Sequence, residues 1–342
     1  MSPQTRESRP PDDLSGNRAA PIRANVTLLV LLMLIFCAQA VSGAIAESTL
    51  RKLESGQDTG SQWRRYEAAP KGMDILFVGD SRVRADVDID AIDRQLSAKS
   101  GRSVHGAKLG ISSAVPALLD AILYQVAHRS PRPREIVLAV SEYQFNENFN
   151  PDPTADFWQI TSFDPGYLSI ALRLDPNRGR LARGWLVPVF ANSPVIVQGV
   201  QCLIQNFEGT QLCSQVSRFP EDHLMTADDE HYILGVYRDV DLYRYGFSNT
   251  KLSYLRDGIA SVRRAGVRVQ LVTLPVYKID AIDPEAYAQF QKQIADLAAT
   301  AGIDYTDLHN AMQLRPEMWG DPSHLNHRGA RELANQLAML AT

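Results

Sequence analysis

Beyond residue 71 the apolar positions fall into two rhythms. Short apolar runs predict strands over 74–78, 104–109, 135–140, 267–274 and 303–307. Between and after them, apolar residues recur at spacings of three and four, which predicts helices over 89–100, 115–128, 249–265, 284–301 and 324–340. The strand runs are continuous rather than alternating, as suits a sheet covered on both faces. Ala301-Gly302 supplies a helix stop, and the helix over 115–128 ends before Ser130-Pro131-Arg132-Pro133. Alternating β and α units of this size predict a three-layer α/β fold with a mostly parallel five-stranded sheet. Five units suit a flavodoxin-like winding, whereas an eight-fold barrel needs more.

The rhythm breaks over 145–245. That stretch begins rich in Pro, Asn, Asp and aromatics ("FNPDPTADFWQITSFDPGY") and then carries the apolar run "WLVPVFANSPVIVQGVQCLI". It is too long for one loop and is expected to be an insertion covering one end of the sheet. Pro188, Asn192, Pro194 and Gln198 interrupt the apolar run, so it reads as a core or interfacial segment rather than a membrane span.

The N-terminal part follows different rules. Residues 1–24 are dominated by Pro, Ser, Asp and Arg and read as a disordered leader. Within 25–46 lies "VTLLVLLMLIFCAQAVSGAIA", which has no charged residue and the length needed to span a bilayer as a helix. Arg18 and Arg23 precede it and Glu47 follows, placing the N-terminus on the cytoplasmic side. Ala38-Gln39-Ala40 also suits signal-peptide cleavage; the polar leader favours an uncleaved anchor. Either way residues 47–70, a polar stalk, and the domain over 71–342 are expected outside the cell membrane. Cys202 and Cys213 would then lie in an oxidising compartment, either as a pair or as two buried thiols. With a net charge of -4 the chain lacks the broad basic footprint of a nucleic-acid binder. No phosphate-binding glycine motif occurs, and no cofactor is expected.

Two stretches carry candidate chemistry. "ILFVGDSRV" places Ser81 just past the first strand, where open parallel sheets bind ligands. By itself Gly-Asp-Ser also describes an ordinary capped turn. Near the other end, "DPSHLNHRGA" offers Asp321 and His324 three residues apart. A serine nucleophile needs a base to take its proton, and the base needs an acceptor to fix its tautomer. Asp321 followed by Pro322 equally suits a helix start.

"GDS" after the first strand, "AKLGISSA" after the second and "DPSHLNHRGA" at the last helix together resemble the SGNH/GDSL hydrolase superfamily over residues 72–144 and 250–340. The form of the last block, the N-terminal apolar segment and the large insertion look most like its membrane-anchored DltD/AlgJ-like branch. The resemblance implies a nucleophile at Ser81, a base at His324, an orienting Asp321, and oxyanion-facing N–H groups at Ser81 and Gly110. It also implies O-acyl transfer or ester hydrolysis on an extracytoplasmic polymer such as a cell-surface glycan, with a membrane-bound O-acyltransferase as partner.

The sequence departs from the superfamily at the third block, Gly-x-Asn-Asp, whose Asn is an oxyanion donor. Here the third strand runs into Ser141-Glu142-Tyr143-Gln144-Phe145-Asn146, with Glu142 near the Asn position. A carboxylate there would repel an oxyanion, and one lost donor costs on the order of 100- to 1,000-fold in rate. Ser141, Gln144, Asn146 or the insertion are the substitutes in view. The departure also admits a non-catalytic role in glycan binding or complex assembly. Arg82, Arg84 and Asn146 are candidate substrate contacts. Asp307 with His309 is a rival base, His327 a neighbour of the main one, and Asp228-Asp229-Glu230-His231 a solvated loop without the second cluster a metal needs.

Overall fold

The computed structural model describes residues 73–151, 219 and 223–341, with Gln62, Trp63, Tyr66 and isolated helical positions between 26 and 41. The apolar run of the insertion, Cys202 and Cys213 lie outside the described residues, as do parts of the expected membrane segment and stalk. Among the described residues, no helix is long and apolar enough to cross a membrane.

Five parallel strands form the central sheet: β1 Ile75–Gly79, β2 Gly106–Gly110, β3 Glu135–Val140, β4 Arg268–Thr273 and β5 Asp304–Asp307, in the order β2-β1-β3-β4-β5. That is the flavodoxin-like order, and the fold is a three-layer α/β sandwich. β1 and β3 are buried along their whole length. Alternate residues feed two cores. Leu76, Val78, Ile136 and Leu138 face one side with α3 Pro116–His128, α5 Asn249–Arg264 and α7 Pro284–Ala301. Ile75, Phe77, Val137 and Ala139 face the other with α2 Ile89–Ser100 and α9 His327–Leu340.

Between β1 and α2 lies a short helix, α1 Ser81–Asp86, capped by Asp80. Two glycines let it lie close on the sheet. A Cβ at Gly79 would come within 2.6 Å of Val83 Cγ2 and 2.9 Å of Ala139 Cβ, and one at Gly110 within 2.2 Å of Arg84 N.

The chain leaves the sheet after β3 through a 3₁₀ turn, Glu142–Phe145, and returns to it at α5. Asn146 clasps the two stems: its Nδ2 donates to Asp241 O (2.8 Å) and Tyr243 O (3.3 Å), and Asn148 N donates to its Oδ1 (3.1 Å). Phe145 and Phe247 stack beneath this clasp with ring centres 5.5 Å apart. Before α5 the insertion forms α4 Ala227–Val236 and a π-helical turn, Tyr237–Asp241. The acidic run expected in a loop is therefore the first turn of α4, where Thr226 and Asp229 form a capping box and the carboxylates face the positive helix end.

After α6 Ile279–Ile282, α7, β5 and α8 Leu308–Ala311 the chain forms a small antiparallel hairpin, β6 Trp319–Asp321 and β7 His324–Leu325. The last helix was expected from residue 324, with Asp321 and Pro322 opening it. It starts instead at His327, because Asn326 is the N-cap and accepts from Arg328 N (3.0 Å) and Gly329 N (3.2 Å).

Candidate active site

β1 is the strand from which the winding sets off in both directions, to β2 on one side and to β3, β4 and β5 on the other. Ser81 sits at its C-terminal end, the place where such sheets form a crevice. The hairpin brings the other two candidates to it across 243 positions of sequence: His324 Nε2 lies 3.0 Å from Ser81 Oγ. On its far side His324 Nδ1 is 3.0 Å from Asp321 Oδ2 and 3.2 Å from Oδ1. Asp321 is itself fixed, since its Oδ1 accepts from Ser323 N at 2.6 Å and His324 N at 2.8 Å. With Nδ1–H directed at a carboxylate, Nε2 is left to accept from the serine hydroxyl.

Burial works against a charged His324, but the hydrogen bond to Asp321 and the charges of Asp86, Asp321 and Asp80 outweigh it and raise its pKa above the ordinary value. Asp86 is a contributor that no sequence motif announced. It is buried at the end of α1 and accepts from Leu325 N at 3.0 Å, tying the hairpin to the helix that Ser81 opens. Burial pushes its carboxyl up to about 7, with His324 pulling the other way.

Ser81 is flanked by a buried ion pair. Arg82 Nη2 and Nε lie 2.9 and 3.2 Å from Asp80 Oδ2, and both side chains are 2% exposed. Tyr143 OH donates to the same oxygen at 2.9 Å, and Ser141 Oγ donates to it while accepting from Arg82 Nη2. Arg82 Nη1 reaches Leu274 O at 3.4 Å. The turn carrying Ser81 is thus fastened to the segments that follow both β3 and β4. Burial raises the Asp80 carboxyl, but the charge and hydrogen bonds of Arg82 prevail and hold it at about 2.

Several expectations change here. Arg82 is not available to substrate because it is buried in this pair, and Asn146 is fully buried and committed to the insertion stems. Arg84 keeps part of its surface open. The Gly110 N–H, expected to face an oxyanion, donates to Gln62 Oε1 at 2.7 Å in this structure. The next N–H, of Ile111, turns back to Gly79 O, so that of Gly110 points to the outer edge of β2. The absence of a side chain at Gly110 answers instead to the close approach of α1. Asp307 and His309 lie beyond β5, three strands from β1, where Asp307 accepts from Tyr287 OH, Asn310 Nδ2 and His309 N. His327 is exposed on the first turn of α9.

Glu142 is fully buried, and among the described residues neither carboxyl oxygen has a hydrogen-bond partner. Burial raises its pKa, against the pull of Arg82. No group of acidic, histidine or cysteine side chains that could hold a metal occurs among the described residues. No known family model matches the chain, and no curated protein matches it.

Proposed function

We propose that the protein is an extracytoplasmic serine acyl-transfer enzyme that acts on O-acyl esters of a cell-surface polysaccharide or similar polymer. The observation that carries this reading is the Ser81–His324–Asp321 relay, with both links at 3.0 Å. In the first step Ser81 Oγ bonds to the acyl carbonyl carbon while its proton passes to His324 Nε2. The tetrahedral intermediate collapses, the ester C–O bond breaks, and His324 returns the proton to the departing alcohol oxygen. A second hydroxyl then attacks the acyl-serine, gives its proton to His324, and releases Ser81 as the proton returns to Oγ. Water as the second hydroxyl makes the protein an esterase; a glycan hydroxyl makes it an O-acyltransferase. Asp321 holds the imidazole and balances its charge in each half. The apolar stretch within 25–46 supports a single-pass anchor in the cell membrane with the domain outside, where a membrane-bound O-acyltransferase would hand on acyl groups.

A fluorophosphonate probe tests this directly. Full-length protein should be labelled and Ser81→Ala should not, with loss of p-nitrophenyl acetate turnover; equal labelling of the two would sink the reading. The placement of Glu142 and the engaged Gly110 N–H favour a second reading, a non-catalytic glycan-binding component. It predicts that Ser81→Ala leaves polymer acylation in cells intact.

A further inference from the structure

An acyl-transfer site with Ser81 as nucleophile needs a hydrogen-bond donor on the β3 side of the developing oxyanion, and the residue after Ser141 supplies an acceptor instead. Two of the nearby alternatives are engaged. The Ser141 hydroxyl is held between Asp80 and Arg82, and the Asn146 amide binds the insertion stems. Gln144 turns its Oε1 to Ser141 N at 2.9 Å and leaves its buried Nε2 without a partner among the described residues, but no hydrogen bond among them joins it to the hairpin that carries His324.

Tyr237 comes from elsewhere in the chain. No residue of α4 is buried, but where that helix opens into its π turn Tyr237 swings inward and is 4% exposed. π turns within helices recur at functional sites. The Tyr237 hydroxyl accepts from Ser323 Oγ at 3.4 Å, next to His324. It also interacts electrostatically with Arg82, Glu142 and Asp80. It therefore contacts the residue that precedes His324 and lies in the electrostatic field of both residues that flank Ser81 and of Glu142. Ser323 donates to Tyr237, and no described residue accepts the Tyr237 proton.

Resting on the acyl-transfer reading, we propose that the Tyr237 hydroxyl is the missing donor: the insertion contributes it to the Ser81 site, where it hydrogen-bonds the carbonyl oxygen as negative charge develops there. Burial raises the phenol pKa well beyond its ordinary value, so the proton is retained for donation. Phenolic donors aimed at an oxyanion are an established form of such stabilisation. The arrangement accounts for the tolerance of Glu142, because the donor arrives from a different chain segment rather than from the third block.

The test compares full-length wild type, Tyr237→Phe, Ser323→Ala, Gln144→Met and Ser81→Ala, each with its melting temperature, on p-nitrophenyl acetate. Tyr237→Phe keeps the ring and should lower kcat on the order of 100- to 1,000-fold with little change in KM. It should also slow fluorophosphonate labelling. Ser323→Ala removes the hydrogen bond but leaves the phenol proton, so its kcat should stay within a few-fold of wild type. If Tyr237 merely braced the hairpin, the two variants would fall together, and that result overturns the assignment. So does a normal Tyr237→Phe beside an inactive Ser81→Ala, or a kcat loss at Gln144→Met in its place. Equal turnover by wild type and Ser81→Ala overturns the acyl-transfer reading itself.

Discussion

The two sides of the site are built in different ways. Ser81 opens α1 just past the C-terminal end of β1, an inner strand of the five-stranded sheet, and its flanking ion pair is 2% exposed. His324 and Asp321 stand on a two-stranded hairpin, with side chains 22% and 17% exposed. The first side is fixed by desolvated polar contacts reaching the segments after β3 and β4. The second is held by single hydrogen bonds from several segments: Leu325 N to Asp86, Tyr277 N to Pro322 O, Met225 N to Trp319 O, and Asn326 N to Met318 O. A nucleophile needs a fixed position, whereas an imidazole that takes and returns a proton needs a fixed tautomer and some room. The contrast predicts that mutations on the hairpin cost chemistry and mutations in the ion pair cost the fold.

Asp321→Asn should have the largest effect. The amide can still accept the two backbone N–H bonds, so the hairpin survives, but an amide donor facing Nδ1 favours the wrong tautomer. On the acyl-transfer reading, turnover of p-nitrophenyl acetate should fall on the order of 10⁴-fold with the melting temperature nearly unchanged. The base must be neutral, so kcat/KM rises with pH through the pKa of His324, which lies above the ordinary histidine value. Removing the carboxylate that raises that pKa should move the acid limb of the residual activity to lower pH. A large fall in stability with unchanged turnover would reverse the contrast.

Asp80→Asn comes next and should act on the fold. The cap to Arg82 N is kept, but a buried guanidinium loses its counter-charge, which costs about 3–5 kcal/mol. Urea denaturation measures it. In the wild type this carboxyl sits at about 2 in the folded chain and near 3.9 when unfolded. The stability it confers is thus present above about pH 4 and lost as the pH falls towards 2, a dependence the variant should lack. A loss of only a few tenths of a kcal/mol would mean that the pair is not what fixes the turn at Ser81.

The same contrast decides what could be read in the sequence. β3 Glu135–Val140 and helices α2 and α7 run over the very residues expected, because continuous apolar runs and three-to-four spacing act locally. The residue types of the relay were legible too, since Gly-Asp-Ser and Asp-x-x-His have few other uses together. The ion pair was not: an arginine after a serine reads equally as solvated or as a ligand until Ser141 and Tyr143 arrive from sixty positions away. The hairpin was hidden because Asp321 and Asn326 are both good helix caps, and only tertiary contacts choose between them. Asn326 wins by also donating to His223 O and Glu317 O. Gly110 shows the reverse error, a glycine read for its N–H where packing against Arg84 explains its missing side chain.

The smallest effect lies where the two sides meet. Asp86 belongs to α1, the helix that Ser81 opens, yet its oxygen holds the hairpin at Leu325 and its charge faces His324, Asp321 and Arg82. Its folded pKa of about 7 exceeds the unfolded value near 3.9. Between about pH 4 and 7 the unfolded chain therefore sheds a proton that the native protein retains, and stability falls as the pH rises through that window. Asp86→Asn keeps an oxygen for Leu325 N–H and removes the titration. Its stability, followed by urea denaturation from pH 4.5 to 7.5, should vary less with pH than that of wild type and should match or exceed wild type at pH 7.5. Because Asp86 also helps to keep a proton on His324, the acid limb of kcat/KM should move to lower pH in the variant, by less than in Asp321→Asn. Parallel stability profiles for the two proteins would show that Asp86 is ionised throughout, and that the seam between sheet and hairpin is held by charge rather than by a neutral hydrogen bond.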